Sequence, residues 1–97
     1  MKKTTDPDAL LLQALAEPTR LAIVRQLAHE GEVCACDFTA CCEVAQPTVS
    51  HHLKVLRQAG VVSSDRRGTW IYYRLRPDAI RRLANLLGEL AAVPATS

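Results

Sequence analysis

An amphipathic segment at residues 47–60, followed at once by a short alternating segment, constrains the fold of this chain more than any other feature. Pro47 fits the first turn of a helix, and Gly60 fits its end. Three apolar residues at helical spacing form its buried line: Val49, Leu53 and Leu56. A polar tip at residues 65–69 then precedes residues 70–75, which alternate in the manner of a strand. The pattern predicts a helix joined directly to a β-hairpin.

Two further helices are predicted near the start of the chain. Asp6 and Pro7 form a cap and a first helical position, and apolar residues continue at helical spacing to about residue 16. Pro18 starts a second helix, whose apolar face ends before Gly31.

The segment after the second helix carries all four cysteines of the chain. They are Cys34, Cys36, Cys41 and Cys42. Cys34 stands in a cap position, and Asp37 follows three residues later as a capping-box acid, which predicts a short third helix through about Cys42. Thiols this closely spaced in a reducing compartment indicate a metal site or a sensor, not a disulfide framework.

The last predicted helix starts at Pro77 and has a longer apolar stripe than one small domain covers by itself. The stripe consists of Ile80, Leu83, Leu86, Leu87 and Leu90. A partner helix is therefore implied. A chain of this length also gains stability by pairing, so we expect a homodimer formed through the terminal helices.

Together these elements predict a mainly α protein with a small β-hairpin. Two helices joined by a tight turn, the second followed by a basic-tipped hairpin, make a winged helix-turn-helix. Because 97 residues suffice for one core, we expect a single domain over residues 1–97, with flexible ends at residues 1–6 and 94–97.

Basic charge is concentrated in the second half of the chain. The formal net charge is only +2, but residues 46–82 hold eight basic and two acidic side chains, whereas residues 1–45 hold four and seven. A basic stretch of this kind suits a polyanion. Double-stranded DNA is therefore the predicted partner, and binding it requires no cofactor.

The candidate DNA contacts are polar residues at the mouth and on the outward face of the helix at residues 47–60, and at the hairpin tip. They are Gln46, Thr48, Ser50, His51, Lys54, Arg66 and Arg67. Gln46 suits a bidentate contact with adenine, and hydroxyl side chains serve a base or a phosphate. A solvated surface is the alternative for each. His52 lies at the edge of the buried line and is predicted to be structural.

Three segments of the chain resemble the arsenic-responsive branch of the ArsR/SmtB repressors. They are Glu-Val-Cys-Ala-Cys-Asp at residues 32–37, Gln-Pro-Thr-Val-Ser-His-His-Leu-Lys-Val-Leu at residues 46–56, and Arg-Gly-Thr-Trp-Ile-Tyr-Tyr-Arg-Leu at residues 67–75. The similarity runs from about Leu12 to Leu90. The resemblance implies a dimeric winged-helix repressor, not an enzyme, that leaves its operator DNA when a soft metal or metalloid binds.

Cys34 and Cys36 are the first two predicted ligands. Soft thiolates without a nearby histidine suit trivalent arsenic or antimony, so arsenite or antimonite is the expected inducer. The best-known members carry a third cysteine where this chain has Thr39. An intact helix would hold Cys41 and Cys42 about 7.5 and 9 Å along its axis from Cys36. The third ligand is therefore Cys41 or Cys42 after unwinding, a group of the other subunit or a small thiol. Of the two cysteines Cys41 is the favoured ligand, because Cys42 occupies the place of a core leucine.

Other functions on the same fold stay open. A thiol-based redox sensor and a cadmium- or zinc-sensing repressor use the same residues, and a protein-interaction module uses none of the DNA contacts. No base stands beside the vicinal pair Cys41 and Cys42, which disfavours an enzyme. Polar residues 4–8 follow the first lysines, and no apolar run approaches the roughly 20 residues of a membrane span. We therefore expect a cytoplasmic protein without a membrane partner.

Overall fold

The computed structural model describes residues 6–38 and 46–92, with side chains from residue 48 onward in the second range. The described helices are α1 Pro7–Leu15, α2 Pro18–Glu30, α3 Gln46–Gln58 and α4 Pro77–Ala91. The strands are β1 Val33–Cys34, β2 Val62–Arg67 and β3 Trp70–Leu75, and a 3-10 turn spans Ala35–Asp37. The mainly α fold with a hairpin is thus confirmed. Within the described ranges, no helix is both long enough and apolar enough to cross a membrane.

Local capping residues set the ends of the first two helices, as predicted. The carboxylate of Asp6 accepts a hydrogen bond from the backbone N–H of Asp8 at 2.9 Å. Glu17 accepts one from the backbone N–H of Arg20, also at 2.9 Å, and so caps α2. Gly31 ends α2 with a φ of 82°, a conformation that favours glycine. Of the two predicted flexible ends, residues 1–5 and 94–97 lie outside the described residues.

The core lies where α2 and α3 meet the sheet. The predicted inner line of α3 is confirmed, since Val49, Leu53 and Leu56 are all buried. Phe38 packs edge-on against Tyr73 of β3, with ring centres 6.1 Å apart. Helices α1 and α4 lie against each other. The polar face of α3 points away from this core.

The predicted hairpin is confirmed, but its tip is shorter than predicted. Strand β2 continues through Arg67, which is paired with Trp70, so the turn consists of residues 68 and 69. Gly68 has a φ of 64°, which permits this tight turn. Arg66 and Arg67 therefore lie on a strand, where their side chains point to opposite faces of the hairpin.

The prediction of a continuous third helix after Cys34 is wrong, because the chain forms only a single 3-10 turn at Ala35–Asp37. Cys34 holds the predicted cap position of this turn, but it makes no side-chain capping bond and also belongs to β1. Its backbone pairs with Tyr72 of β3, so its polar groups are satisfied by the sheet. The chain is extended again at Phe38. The remainder of the predicted helix, including Cys41 and Cys42, lies outside the described residues.

Candidate thiolate site and nucleic-acid interface

The outward face of α3 is a row of exposed polar side chains. Thr48, Ser50, His51 and Lys54 are all exposed. Gln46 is the first residue of the helix. Because the inner line holds α3 on the core, the four exposed side chains face solvent.

His52 has a structural position, as predicted. Its side chain is only 12% exposed, and its Nδ1 lies 3.1 Å from Nη1 of Arg20 and 3.6 Å from a carboxylate oxygen of Glu17. Arg20 also donates from Nε to the carbonyl oxygen of Ala14 at 2.6 Å. One side chain of α2 therefore connects the end of α1 to the middle of α3.

The two arginines predicted at the hairpin tip differ in their contacts. Arg66 is exposed and donates to the carbonyl oxygen of Gly68 at 3.3 Å. Arg67 forms ion pairs with Glu32 at 2.7 Å and Asp65 at 3.0 Å. Among the described residues Arg66 makes no ion pair, whereas Arg67 has two acidic partners. The sequence did not indicate the partner Glu32, because it is 35 residues away from Arg67.

The structure brings two of the predicted ligands together. Sγ of Cys34 and Sγ of Cys36 are 3.3 Å apart, and Sγ of Cys36 is 3.8 Å from an oxygen of Asp37. One ligand atom from each of the three residues lies within 4.8 Å of the others. Two metal–sulfur bonds of about 2.3 Å accommodate such a sulfur separation, so one ion can bind both thiols.

The environment keeps the second thiol protonated at neutral pH. Contact with Cys34 raises the pKa of Cys36 to about 11, and partial loss of hydration and the charge of Asp37 act in the same direction. Cys34 is buried and Cys36 is exposed. The thiol of Cys36 is therefore the one of the pair that faces solvent.

Asp37 is the member of this group that sequence reasoning assigned to another role. It was predicted as a capping acid, yet its carboxylate lies beside the thiol of Cys36. Its position directly after the Cys-x-Cys pair is the feature that indicates a third donor. The predicted ligand Cys41 lies outside the described residues.

Comparisons with known proteins identify the family of the chain. A family profile described as "Bacterial regulatory protein, arsR family" matches residues 17–64. An HTH-type transcriptional regulator from Methanocaldococcus jannaschii is 38% identical over 82 residues, which cover 84% of this chain and 92% of that protein. The chain belongs to the ArsR/SmtB family.

Two further ArsR/SmtB relatives extend the match. The arsenical resistance operon repressor of Escherichia coli K12 is 38% identical over 79 residues, which cover 81% of this chain and 68% of that protein. A crystal structure described as a possible transcriptional regulator for arsenical resistance has a TM-score of 0.73 at 34% identity and covers 82% of each chain.

Membership of the ArsR/SmtB family decides the class of function. The fold and the relatives are those of transcriptional regulators, so the prediction of a winged helix-turn-helix regulator, not an enzyme, is confirmed. The contacts between α3 and DNA and the ligands of the cysteine pair are residue-level assignments that go beyond family membership.

Proposed function

We propose that this family member represses transcription as a homodimer on operator DNA and leaves the DNA when trivalent arsenic or antimony binds to Cys34 and Cys36. The observation that carries the proposal is the 3.3 Å separation of the two sulfurs. This pair lies on β1 and the turn after it, and β1 is hydrogen-bonded to the hairpin. The name of the Escherichia coli relative, an arsenical resistance operon repressor, supports the same inducer class.

The proposed DNA surface combines helix α3 with the hairpin. Ser50, Thr48 and Gln46 are assigned to base or backbone contacts at the start of α3, where a recognition helix meets the groove. Lys54, His51 and Arg66 are assigned to phosphates. Arg67 belongs to this set from its sequence position, but its pairing with Glu32 makes its direct contribution smaller than that of Arg66.

The proposed dimer contact is the exposed apolar surface of the terminal helices. Leu87 and Leu90 of α4 are 59% and 60% exposed, and Leu10 and Leu12 of α1 are 40% and 45% exposed. A second copy of the chain covers this surface and supplies the second recognition helix. Two-fold symmetry then sets the two α3 helices about 34 Å apart, on successive major grooves.

The proposed inducer reaction is a condensation. Arsenous acid, As(OH)₃, reacts with two thiols to give (RS)₂AsOH and two molecules of water, so each thiol proton leaves with a hydroxide. Because both thiol protons leave with the two hydroxyl groups as water, the overall reaction releases no proton. The third position on arsenic keeps its hydroxyl group or takes a sulfur from Cys41, from the partner subunit or from a small thiol.

One observation favours cadmium or zinc as a second inducer class. The oxygen of Asp37 completes a set of two sulfurs and one oxygen, and zinc accepts thiolate and carboxylate ligands together. A redox sensor is disfavoured, since such sensors use thiols of lowered pKa, whereas the pKa of Cys36 is raised.

The decisive experiment measures operator binding in the presence of each candidate inducer. Operator DNA is selected from a random duplex pool, and the affinity is followed by fluorescence anisotropy with arsenite, antimonite, cadmium, zinc or peroxide. We expect release by arsenite and antimonite at concentrations that protect the thiols from alkylation. Release by cadmium or zinc alone supports the second candidate, and release by peroxide alone supports a redox sensor. Failure to select any duplex contradicts the DNA-binding role.

A further inference from the structure

Glu32 joins the segment that carries the cysteine pair to both strands of the hairpin. Its carboxylate accepts two hydrogen bonds from Arg67, at 2.9 and 2.7 Å, and a third from Arg74 at 3.3 Å. Arg67 is the last residue of β2, and Arg74 lies near the end of β3. A single carboxylate therefore contacts both strands of the hairpin.

Backbone pairing also connects the segment that carries the cysteine pair to the hairpin. Cys34, two residues after Glu32, is paired with Tyr72 in the antiparallel ladder between β1 and β3. The guanidinium of Arg67 lies 4.5 Å from the centre of the Tyr72 ring. Strand pairing thus joins Cys34 to Tyr72, and the side chain of Arg67 contacts both Tyr72 and Glu32. The backbone between Glu32 and Cys34 closes this ring of contacts. A shift at Cys34 has to alter either the strand pairing or the ion pair.

The strength of this ion pair suits a switch better than a support of the fold. The side chains of Arg67 and Glu32 are 47% and 27% exposed, and ion pairs at such exposure contribute little to stability. A bidentate pair of arginine and carboxylate is nevertheless strongly directional. It therefore adds a directional contact between Glu32 and the hairpin, and this contact breaks at small cost when β1 moves.

We propose that Glu32 and Arg67 are positioning residues that pass inducer binding at the cysteine pair to the hairpin, an inference that rests on the proposed function. Arsenic bound to Cys34 and Cys36 restricts the turn between them, and filling its third position displaces Glu32 relative to Arg67. The hairpin then meets DNA in a different orientation from that of the inducer-free protein. Arg67 acts here through Glu32 and need not touch DNA itself.

Trp70 provides a local probe of the hairpin. It is the only tryptophan of the chain, it is 54% exposed, and it is the strand partner of Arg67. The experiment titrates arsenite into the DNA-free protein and records Trp70 emission and protection of the thiols from alkylation in the same samples. In the parent chain we expect an emission change that saturates together with thiol protection.

Glu32→Gln tests the link, because it removes the charge of the carboxylate and one acceptor of the bidentate pair. We expect thiol protection at the parent arsenite concentration and the loss of most of the emission change. Glu30→Gln is the matched control: it removes the same charge at the exposed end of α2, and within the described residues Glu30 makes no ion pair. It should respond as the parent does.

A second variant provides a test that does not depend on whether the Glu32→Gln protein folds. Arg67→Lys retains the charge and loses the bidentate fork, so it should also reduce the Trp70 response while the thiols stay protected. A parent-like response in both variants, or none in the parent chain when its thiols are protected, overturns the link and leaves arsenic sensing intact. If arsenite fails to protect the parent thiols, the proposed inducer is wrong and the link fails with it.

Discussion

Arg20, near the start of α2, donates a hydrogen bond to Nδ1 of His52 in the middle of α3, across 32 residues of sequence. Because Nδ1 accepts this bond, the neutral imidazole carries its proton on Nε2. The same arginine donates to the carbonyl oxygens of Ala14 at 2.6 Å and Gln13 at 3.5 Å at the end of α1. The position of the recognition helix thus depends on a half-buried cation that also satisfies the last carbonyls of α1.

Arg20→Ala is expected to weaken both the fold and operator binding. Loss of the bonds to Ala14 and His52 should lower the free energy of unfolding by about 1–3 kcal/mol, the range for hydrogen bonds to a charged group. Urea denaturation measures this loss, and anisotropy measures operator affinity. Arg25→Ala, on an exposed position of the same helix, is the control and should unfold as the parent does. Equal stability of the two variants would contradict the role of Arg20.

The helices were predictable because the features that define them are local. Pro7, Pro18 and Pro77 each stand at the start of a helix, and Gly31 stands directly after α2. Helical spacing of apolar residues indicated that each of these segments continues as a helix. Strand β1 was not predictable in this way, since its two residues are too few to show a period and its stability comes from pairing with β3.

The candidate site was predictable only where its parts are neighbours in sequence. Cys34 and Cys36 stand two residues apart, and the structure brings their sulfurs together. The pairing of Arg67 with Glu32 depends on the register between β1, β3 and β2, and the sequence contains no pattern that specifies it. The sequence therefore indicated the charge of Arg67 but not its partner.

The homodimer is tested by placing charge on the exposed apolar face of α4. Leu87→Glu with Leu90→Glu should give monomers, because each carboxylate would be buried without a partner at the interface. Leu83 is unsuitable for this purpose, since it is buried in the core of its own chain. Sedimentation velocity measures the oligomeric state. Asn85→Glu adds a charge at another exposed position of α4 and should remain dimeric; a dimer that survives both leucine changes refutes the interface.

Base recognition and phosphate binding should respond differently to mutation. Ser50→Ala is expected to reduce discrimination between operator and mismatched duplexes, because it removes a polar group at the start of α3. Lys54→Ala and Arg66→Ala should weaken binding to all duplexes and lower the salt slope by about one unit for each lost phosphate contact. Arg57→Ala, at the far end of α3, is the charge-matched control. The same effect from Ser50→Ala and Lys54→Ala would contradict the assignment.

The raised pKa of Cys36 predicts a specific pH dependence of its reactivity. With a pKa of about 11, the thiolate fraction should rise about tenfold for each pH unit from neutral pH upward. Alkylation of this residue, followed by mass spectrometry of its peptide, should accelerate accordingly. Asp37→Asn removes a charge that raises the pKa of Cys36 and should speed the reaction at a fixed pH. A rate that is already constant near pH 8 would indicate a low-pKa thiol and favour a redox sensor.

Induction itself is best tested at Cys36, because this thiol is exposed and Cys34 is buried in β1. Cys36→Ser should keep the stability and operator affinity of the parent chain and lose release by arsenite, since a soft donor is replaced by a hard one. Cys34→Ser should lose release too, with a cost of about 1–3 kcal/mol in stability if its buried hydroxyl lacks a partner. Cys41→Ser then addresses the third position on arsenic: lost release with unchanged melting makes Cys41 a ligand, and parent-like release leaves that position to a hydroxyl, the partner subunit or a small thiol. If Cys36→Ser left the operator at the same arsenite concentration as the parent chain, the two-sulfur site would be wrong.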